Sequence, residues 1–267
     1  MRSLLVARVK EGRCTERAEV KKLVLQLVFG VIVFPAMLTG SLYYLNSIGF
    51  FNLTAVEVSV ENLPVGQEQF LEPLVTDLKS SLEKYKNVSL WKLPLKRISS
   101  EVASENWIMN LNVKRSWPTT LSVRIQPHEV KLLLMSKGGK LTPIIKEGQM
   151  LNPVDSRQAP DVALVEGDAF EKNPELRKKA VAVIEQIPDV GPFSKKTIAE
   201  IRHNKNEGFW MTLVKSGITV KMGEEQVALK ASRVSQVVEY LENRQFEARV
   251  IDANLSKKVL VRLRKGP

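Results

Sequence analysis

Apolar and polar positions follow three different rhythms along this chain of 267 residues. From Leu23 to Leu45 there is no alternation at all. The run LVLQLVFGVIVFPAMLTGSLYYL carries no charge, and the uncharged stretch continues as far as Glu57. At about 1.5 Å rise per residue, such a helix matches a hydrocarbon core about 30 Å thick. The pattern therefore predicts a single transmembrane helix over 23–45. Gln26 and Pro35 are tolerable inside it, and Tyr43 and Tyr44 stand where an interfacial aromatic belt would lie.

Beyond it, Val56, Val58 and Val60 alternate with Glu57, Ser59 and Glu61, the period of a strand. Phe70, Leu71, Leu74, Val75, Leu78 and Leu82 then fall on one face of a helix. Leu95, Ile98 and Val102 mark a second, shorter helix after Pro94. Two strands follow, Met109–Val113 and Leu121–Ile125, joined by a turn at Ser116-Trp117-Pro118. A β-α-α-β-β unit over 51–126 would cover one face of a sheet with both helices.

From residue 127 to 267 the pattern is mostly strand. Val130–Met135 and Leu141–Ile145 flank Ser136-Lys137-Gly138-Gly139-Lys140, a hairpin signal. Asn173-Pro174 reads as a helix start, with Leu176, Ala180, Val183, Ile184 and Ile187 as its buried stripe. Strands are expected at 197–204, 209–214 and 218–222, then a helix over 224–243. Ala248–Asp252 and Lys258–Arg264 close the sequence. The expected class is α+β: one N-terminal transmembrane helix, a β-α-α-β-β domain, and a C-terminal β-rich domain with two helices.

Charge adds a direction. The formal net charge is +11, which raises nucleic acid as a partner. The basic residues are scattered, however, and no aromatic RNP segment or zinc-finger spacing accompanies them, which argues against nucleic acid. Residues 1–22 hold seven basic side chains (Arg2, Arg8, Lys10, Arg13, Arg17, Lys21, Lys22) against three acidic ones, a net of +4. By the positive-inside rule this tail stays in the cytoplasm and the remaining domains are exported. A cleaved signal would have a shorter apolar region and a small-residue cleavage site, and neither is evident. A lipoprotein signal would need cysteine within Leu38-Thr39-Gly40-Ser41. The single cysteine, Cys14, excludes an intrachain disulfide.

Three stretches, in order, carry a resemblance. Val113-Lys114-Arg115-Ser116-Trp117-Pro118-Thr119-Thr120-Leu121 resembles the V-x-R-x-W-P-x-T-L signature of the FtsQ/DivIB family, at the hairpin closing its POTRA domain. Arg115, Trp117 and Pro118 are its distinctive positions. LTPIIKEGQML, from Leu141 to Leu151, is similar to the family's glycine-containing hairpin. The helix at 224–243 followed by Val250-Ile251-Asp252-Ala253-Asn254 is similar to its terminal motif. This chain departs at Gln126-Pro127-His128-Glu129-Val130, where the family often shows Glu and then Pro-Val-Ala. It departs again at Ala253-Asn254, which replaces Leu-Arg.

The resemblance implies a non-catalytic scaffold of the bacterial divisome. It would be a single-pass inner-membrane protein with its C-terminal domains in the periplasm, enriched at the division septum. It implies binding to the partner pair FtsB and FtsL, indirectly serving the septal peptidoglycan synthases, with the POTRA-like domain implicated in localisation. Leu255, Ser256, Lys258, Leu260 and Arg262 fall nearest the family's partner contacts. From the residues alone, partner capture and solvated protection of a sheet edge by basic side chains are equally good readings of the last strand, and the resemblance favours the first. Lys258, Leu260, Arg262 and Arg264 face one way along the last strand, and Val259, Val261 and Leu263 the other. Little of the sequence follows to pair there, and at a sheet edge such a strand would offer free N–H and C=O groups to a partner strand.

No H-E-x-x-H, G-x-S-x-G, C-x-x-C or P-loop is present, so neither catalysis nor a cofactor or metal is expected. His128 and His203 read as surface residues. Glu224 and Glu225 read as favourable charges at a helix start. Trp91, Trp107, Trp117 and Trp210 read as core or hairpin packing. Two other readings stay open: a POTRA-type polypeptide-binding module of a secretion or transport system, and recognition of an acidic wall polymer by the remaining +7 charge.

Overall fold

The computed structural model describes residues 21, 26, 28–255 and 258–264. The expectations for the tail, Cys14 and most of 22–27 lie outside the described residues. Within them, helix α1 (Phe34–Ser47) is preceded by a wider π-type turn at Phe29–Val33. Pro35, at the start of α1, has no N–H to give, and such a loss is commonly absorbed by a local adjustment of this kind. From Phe29 to Ser47 the helical stretch is 19 residues long, apolar enough to cross a membrane, and entirely unburied.

The chain forms two compact units. Among the described residues, one gathers those up to 57 with 83–94 and 114–122; the other holds 58–82, 95–113 and those from 123 onward. In the first unit, Leu53, Leu90, Leu93 and Leu121 are buried. The main chain of 51–53 is tied to 87–90, Leu90 N–H donating to Phe51 O at 2.8 Å and Leu53 N–H to Val88 O at 2.9 Å.

The β-α-α-β-β order appears as expected: β1 (Ala55–Val60), α2 (Glu68–Leu82), α3 (Leu95–Ala103), β2 (Ile108–Ser116) and β3 (Thr120–Pro127). The three strands form one sheet in the order β1-β3-β2. On α2 and α3 the stripes are buried at Phe70, Leu71, Leu78, Leu82, Ile98 and Val102.

A second sheet has eight strands. They are β4 (Val130–Met135), β5 (Leu141–Ile145), β6 (Leu164–Glu166), β7 (Ile198–Asn204), β8 (Gly208–Leu213), β9 (Thr219–Gly223), β10 (Ala248–Asp252) and β11 (Leu260–Leu263). The order is β11-β10-β9-β8-β7-β6-β4-β5. Three helices accompany it where two were expected: α4 (Asp168–Lys172), α5 (Pro174–Glu185) and α6 (Val227–Asn243). Asn173 caps α5 as its sequence predicts, its side chain accepting from Leu176 N–H at 3.2 Å. Residues of α5 and α6, including Ala180, Val183, Val234 and Val238, share one core with the inward positions of the sheet.

Arg177, within the basic run of α5, is nevertheless buried. Its guanidinium donates to Gly148 O at 2.7 Å, Phe170 O at 2.6 Å and Glu171 O at 3.0 Å. Burial lowers its pKa, and these carbonyls compensate the buried charge. Gly148 has φ +76, and a Cβ there would stand 2.8 Å from Lys178 N. The glycine of the LTPIIKEGQML hairpin is thus required by a close approach of α5.

Candidate functional site

Strand β11 is an edge of the eight-stranded sheet, paired to β10 alone among the described residues. The pairing is antiparallel, with Val250 opposite Arg262, Ile251 opposite Val261 and Asp252 opposite Leu260. On its other side β10 runs parallel to β9. Arg264 N–H donates to Glu247 O at 2.8 Å, so its main-chain groups face β10. Direction alternates along a strand, so Arg262 and Leu260 also turn their main-chain groups to β10. Ala253 N–H reaches the other way, to Lys221 O of β9 at 3.0 Å. That leaves Val250 and Asp252 to serve β11, consistent with the same alternation. Val259, Val261 and Leu263 therefore aim their N–H and C=O groups outward from the sheet.

Side chains sort differently. Val259 and Val261 are half-buried against the core, while Lys258, Leu260, Arg262 and Arg264 are exposed. The alternation expected from the sequence holds except at Leu263, which is 54% exposed. Arg264 and Glu247 approach at 3.8 Å, an exposed pair of small energetic weight.

The turn leading to β11 is held by polar contacts. Asn254 N–H donates to the Asp252 carboxylate at 3.0 Å, and Lys230 Nζ approaches Asn254 Oδ1 at 3.4 Å and Met222 O at 3.0 Å. Burial pushes the Lys230 ammonium pKa down. Gly223 has φ +73, and a Cβ there would fall 2.2 Å from Asn254 Oδ1. Asn254, a departure from the family's terminal motif, thus packs directly on a glycine and beneath a buried lysine.

Of the sequence-derived partner residues, Lys258, Leu260 and Arg262 lie together on the exposed face of the edge. Leu255 is exposed at the start of the connection, and Ser256 lies outside the described residues. The sequence reading missed the groove beside β11, lined by Ile218, Val238, Leu241, Phe246, Ala248 and Arg264. Its one signal was Phe246, an aromatic in the polar loop after α6.

The hairpin motif has a geometric role. Arg115 Nε donates to Leu90 O at 2.7 Å and Nη2 to Leu93 O at 2.8 Å, clasping the single helical turn Leu90–Lys92. Two charge-assisted bonds from a half-buried group point to a loss of about 2–3 kcal/mol in Arg115→Ala. Arg115→Lys cannot make the same forked contact and is expected to recover only part of it. Chemical denaturation of the purified chain measures both.

Trp117-Pro118 is a cis peptide. Expected packing holds for Trp107, which is 3% exposed. Trp117, 48% exposed, packs at the hairpin as one of the two expected alternatives, and the expectation is corrected for Trp91, which is 58% exposed and lies in neither core nor hairpin. These two rings lie 4.5 Å apart and pack on each other and on Phe51 instead of on the interior. Trp210 is half-buried beneath Lys221, whose ammonium lies 4.5 Å from the ring centroid.

His203 meets Glu224 at 3.1 Å and stands edge-on to Phe209. The helix start expected at Glu224 falls at Val227, because Gln226 adopts a left-handed φ of 53°. Instead of capping a helix, Glu224 binds His203 and Lys179, and these contacts lower its pKa. Among the described residues no cluster of His, Cys, Asp and Glu is arranged to hold a metal.

Residues 133–254 match the family model "Cell division protein FtsQ/DivIB, C-terminal", and residues 76–128 match "POTRA domain, FtsQ-type". Strand β11 lies beyond the matched span. The chain is similar to the cell division protein FtsQ of Geobacter sp. (strain M21), 24% identical over 181 residues. That alignment covers 65% of this chain and 65% of the relative, just under two thirds of its length. The FtsQ protein of Syntrophotalea carbinolica is 22% identical over 248 residues, covering 89% of this chain and 82% of the relative. That of Geotalea daltonii is 22% identical over 220 residues, covering 80% and 76%.

Proposed function

The chain belongs to the FtsQ/DivIB family of cell division proteins, and we propose that it is a membrane-anchored scaffold that captures other division proteins at its last strand. In this reading α1 crosses the cytoplasmic membrane once, with the +4 tail in the cytoplasm and the two β-containing domains outside. The β-α-α-β-β domain over 51–126 takes part in placing the protein at the septum. Partners of the FtsB and FtsL type add a strand to β11, and no catalysis is involved.

The observation that carries the reading is the edge itself. Outward main-chain groups at Val259, Val261 and Leu263 stand beside exposed Leu260 and Arg262. An added strand gains affinity from main-chain bonds and specificity from flanking side chains. The basic residues Lys258, Arg262 and Arg264 favour an acidic partner segment and deter self-association.

Co-purification of the full chain with an FtsB–FtsL pair, beside unfolded secretory polypeptides, tests the proposal. Retention of the pair alone supports it. Retention of the polypeptides alone supports the transport-module reading instead.

A further inference from the structure

We propose that Phe50, Phe51, Trp91 and Trp117 form an aromatic foot that sits in the phospholipid headgroup layer where α1 leaves the membrane. The proposal rests on α1 being a membrane span and goes beyond it, because three separate chain segments supply the foot.

The rings make a continuous cluster within the first compact unit. Phe50 and Phe51 lie 5.2 Å apart edge to face, and Phe51 stands 6.1 Å from Trp91 and 5.8 Å from Trp117. The two indoles lie 4.5 Å apart. Exposure is 50% at Phe50, 58% at Trp91 and 48% at Trp117. Such a patch of bulky rings is costly in water and marks an interaction surface.

Its position identifies the occupant. Phe50 follows the last residue of α1, Ser47, by three positions. The connection is tied down: Phe50 N–H donates to Leu45 O at 3.0 Å, within the anchor helix. Ser89 Oγ bonds Asn46 Oδ1 at 2.7 Å, joining the segment before Trp91 to the last turn of α1. A bilayer crossed by α1 therefore begins within a few residues of the cluster. Tyr43 and Tyr44, 78% and 65% exposed, sit one turn earlier on the same helix. Indole and phenol rings with one apolar and one polar edge favour this boundary.

Charge agrees. Beyond α1, the unit carries Lys84, Lys86, Lys92, Lys114 and Arg115 against Glu57 and Glu83, an excess of three positive charges. That excess suits the phosphate groups of the headgroup layer. Arg115 connects the two halves of the foot, holding the Leu90–Lys92 turn that bears Trp91 to the strand that leads into Trp117. The foot would fix how the first unit stands on the membrane.

The test uses the full chain in vesicles of phosphatidylethanolamine and phosphatidylglycerol, with lipids brominated either near the headgroup or near the chain end. Tryptophan emission is expected to fall about two-fold with the shallow bromines and less with the deep ones. Trp91→Phe with Trp117→Phe, at exposed positions that leave the core intact, should remove the quenchable component. The buried Trp107 and half-buried Trp210 then give the unquenched remainder. A chain that floats with vesicles but shows no quenching overturns the foot and leaves the anchor standing. Indoles shifted to the blue without quenching would mean that protein covers them, which also overturns it. A chain that fails to float overturns foot and anchor together.

Discussion

Val261→Pro is expected to weaken binding of an FtsB–FtsL pair about a hundredfold while leaving the ladder from β10 to β11 in place. The N–H of Val261 points away from β10, so its loss removes a bond only an added strand could use. The proline ring also crowds the approaching strand, and together these cost about 3 kcal/mol. Edge strands tolerate proline where the lost donor faces outward. Leu260→Pro is the contrasting variant. The Leu260 N–H faces β10, so proline there should detach β11 itself and lower stability. Val261→Ala keeps the donor and trims a half-buried side chain, and should bind nearly as the parent does. Titration calorimetry on the solubilised full chain, with circular dichroism as the folding control, separates the three. Equal affinity for Val261→Pro and Val261→Ala would remove the edge as the contact.

The second large effect concerns the anchor. Ile32→Lys combined with Leu38→Lys places two charges at exposed positions of the apolar helical stretch, 61% and 54% exposed. Each lysine near the middle of a span costs about 2.5–3.5 kcal/mol, so the pair should cost about 5–7 kcal/mol. The protein is expected to leave the alkali-resistant membrane fraction. The folded units hold none of these side chains in their cores, so their thermal unfolding should not change. Full retention in membranes would place the anchor elsewhere.

Much of this fold was legible because local and global preferences agree. The strands at Val130–Met135, Leu141–Ile145 and Ala248–Asp252 match their patterns residue for residue, and Asn173 caps the helix it was read to cap. Strand β6 was missed because three residues carry no usable period. It exists only because β4 and β7 pair with it on either side. Helix α4 has only five residues, and its place is secured by Arg177, whose burial no charge pattern reveals.

The candidate edge was readable as an alternation, which sorts side chains between two faces. Which main-chain groups point outward depends on pairing with β10, and sequence alone does not fix that parity. Aromatic residues pose the same difficulty in another form. Trp91 and Trp107 look alike in the sequence, yet one is 58% exposed and the other 3%.

Strand addition at β11 can be read residue by residue by amide hydrogen exchange on the full chain, with and without the FtsB–FtsL pair. The amides of Val259, Val261 and Leu263 are expected to exchange quickly alone and to become protected on binding. Those of Leu260 and Arg262, already bonded to β10, should change little. Protection that spares Val261 and Leu263 while appearing elsewhere on the molecule would contradict it.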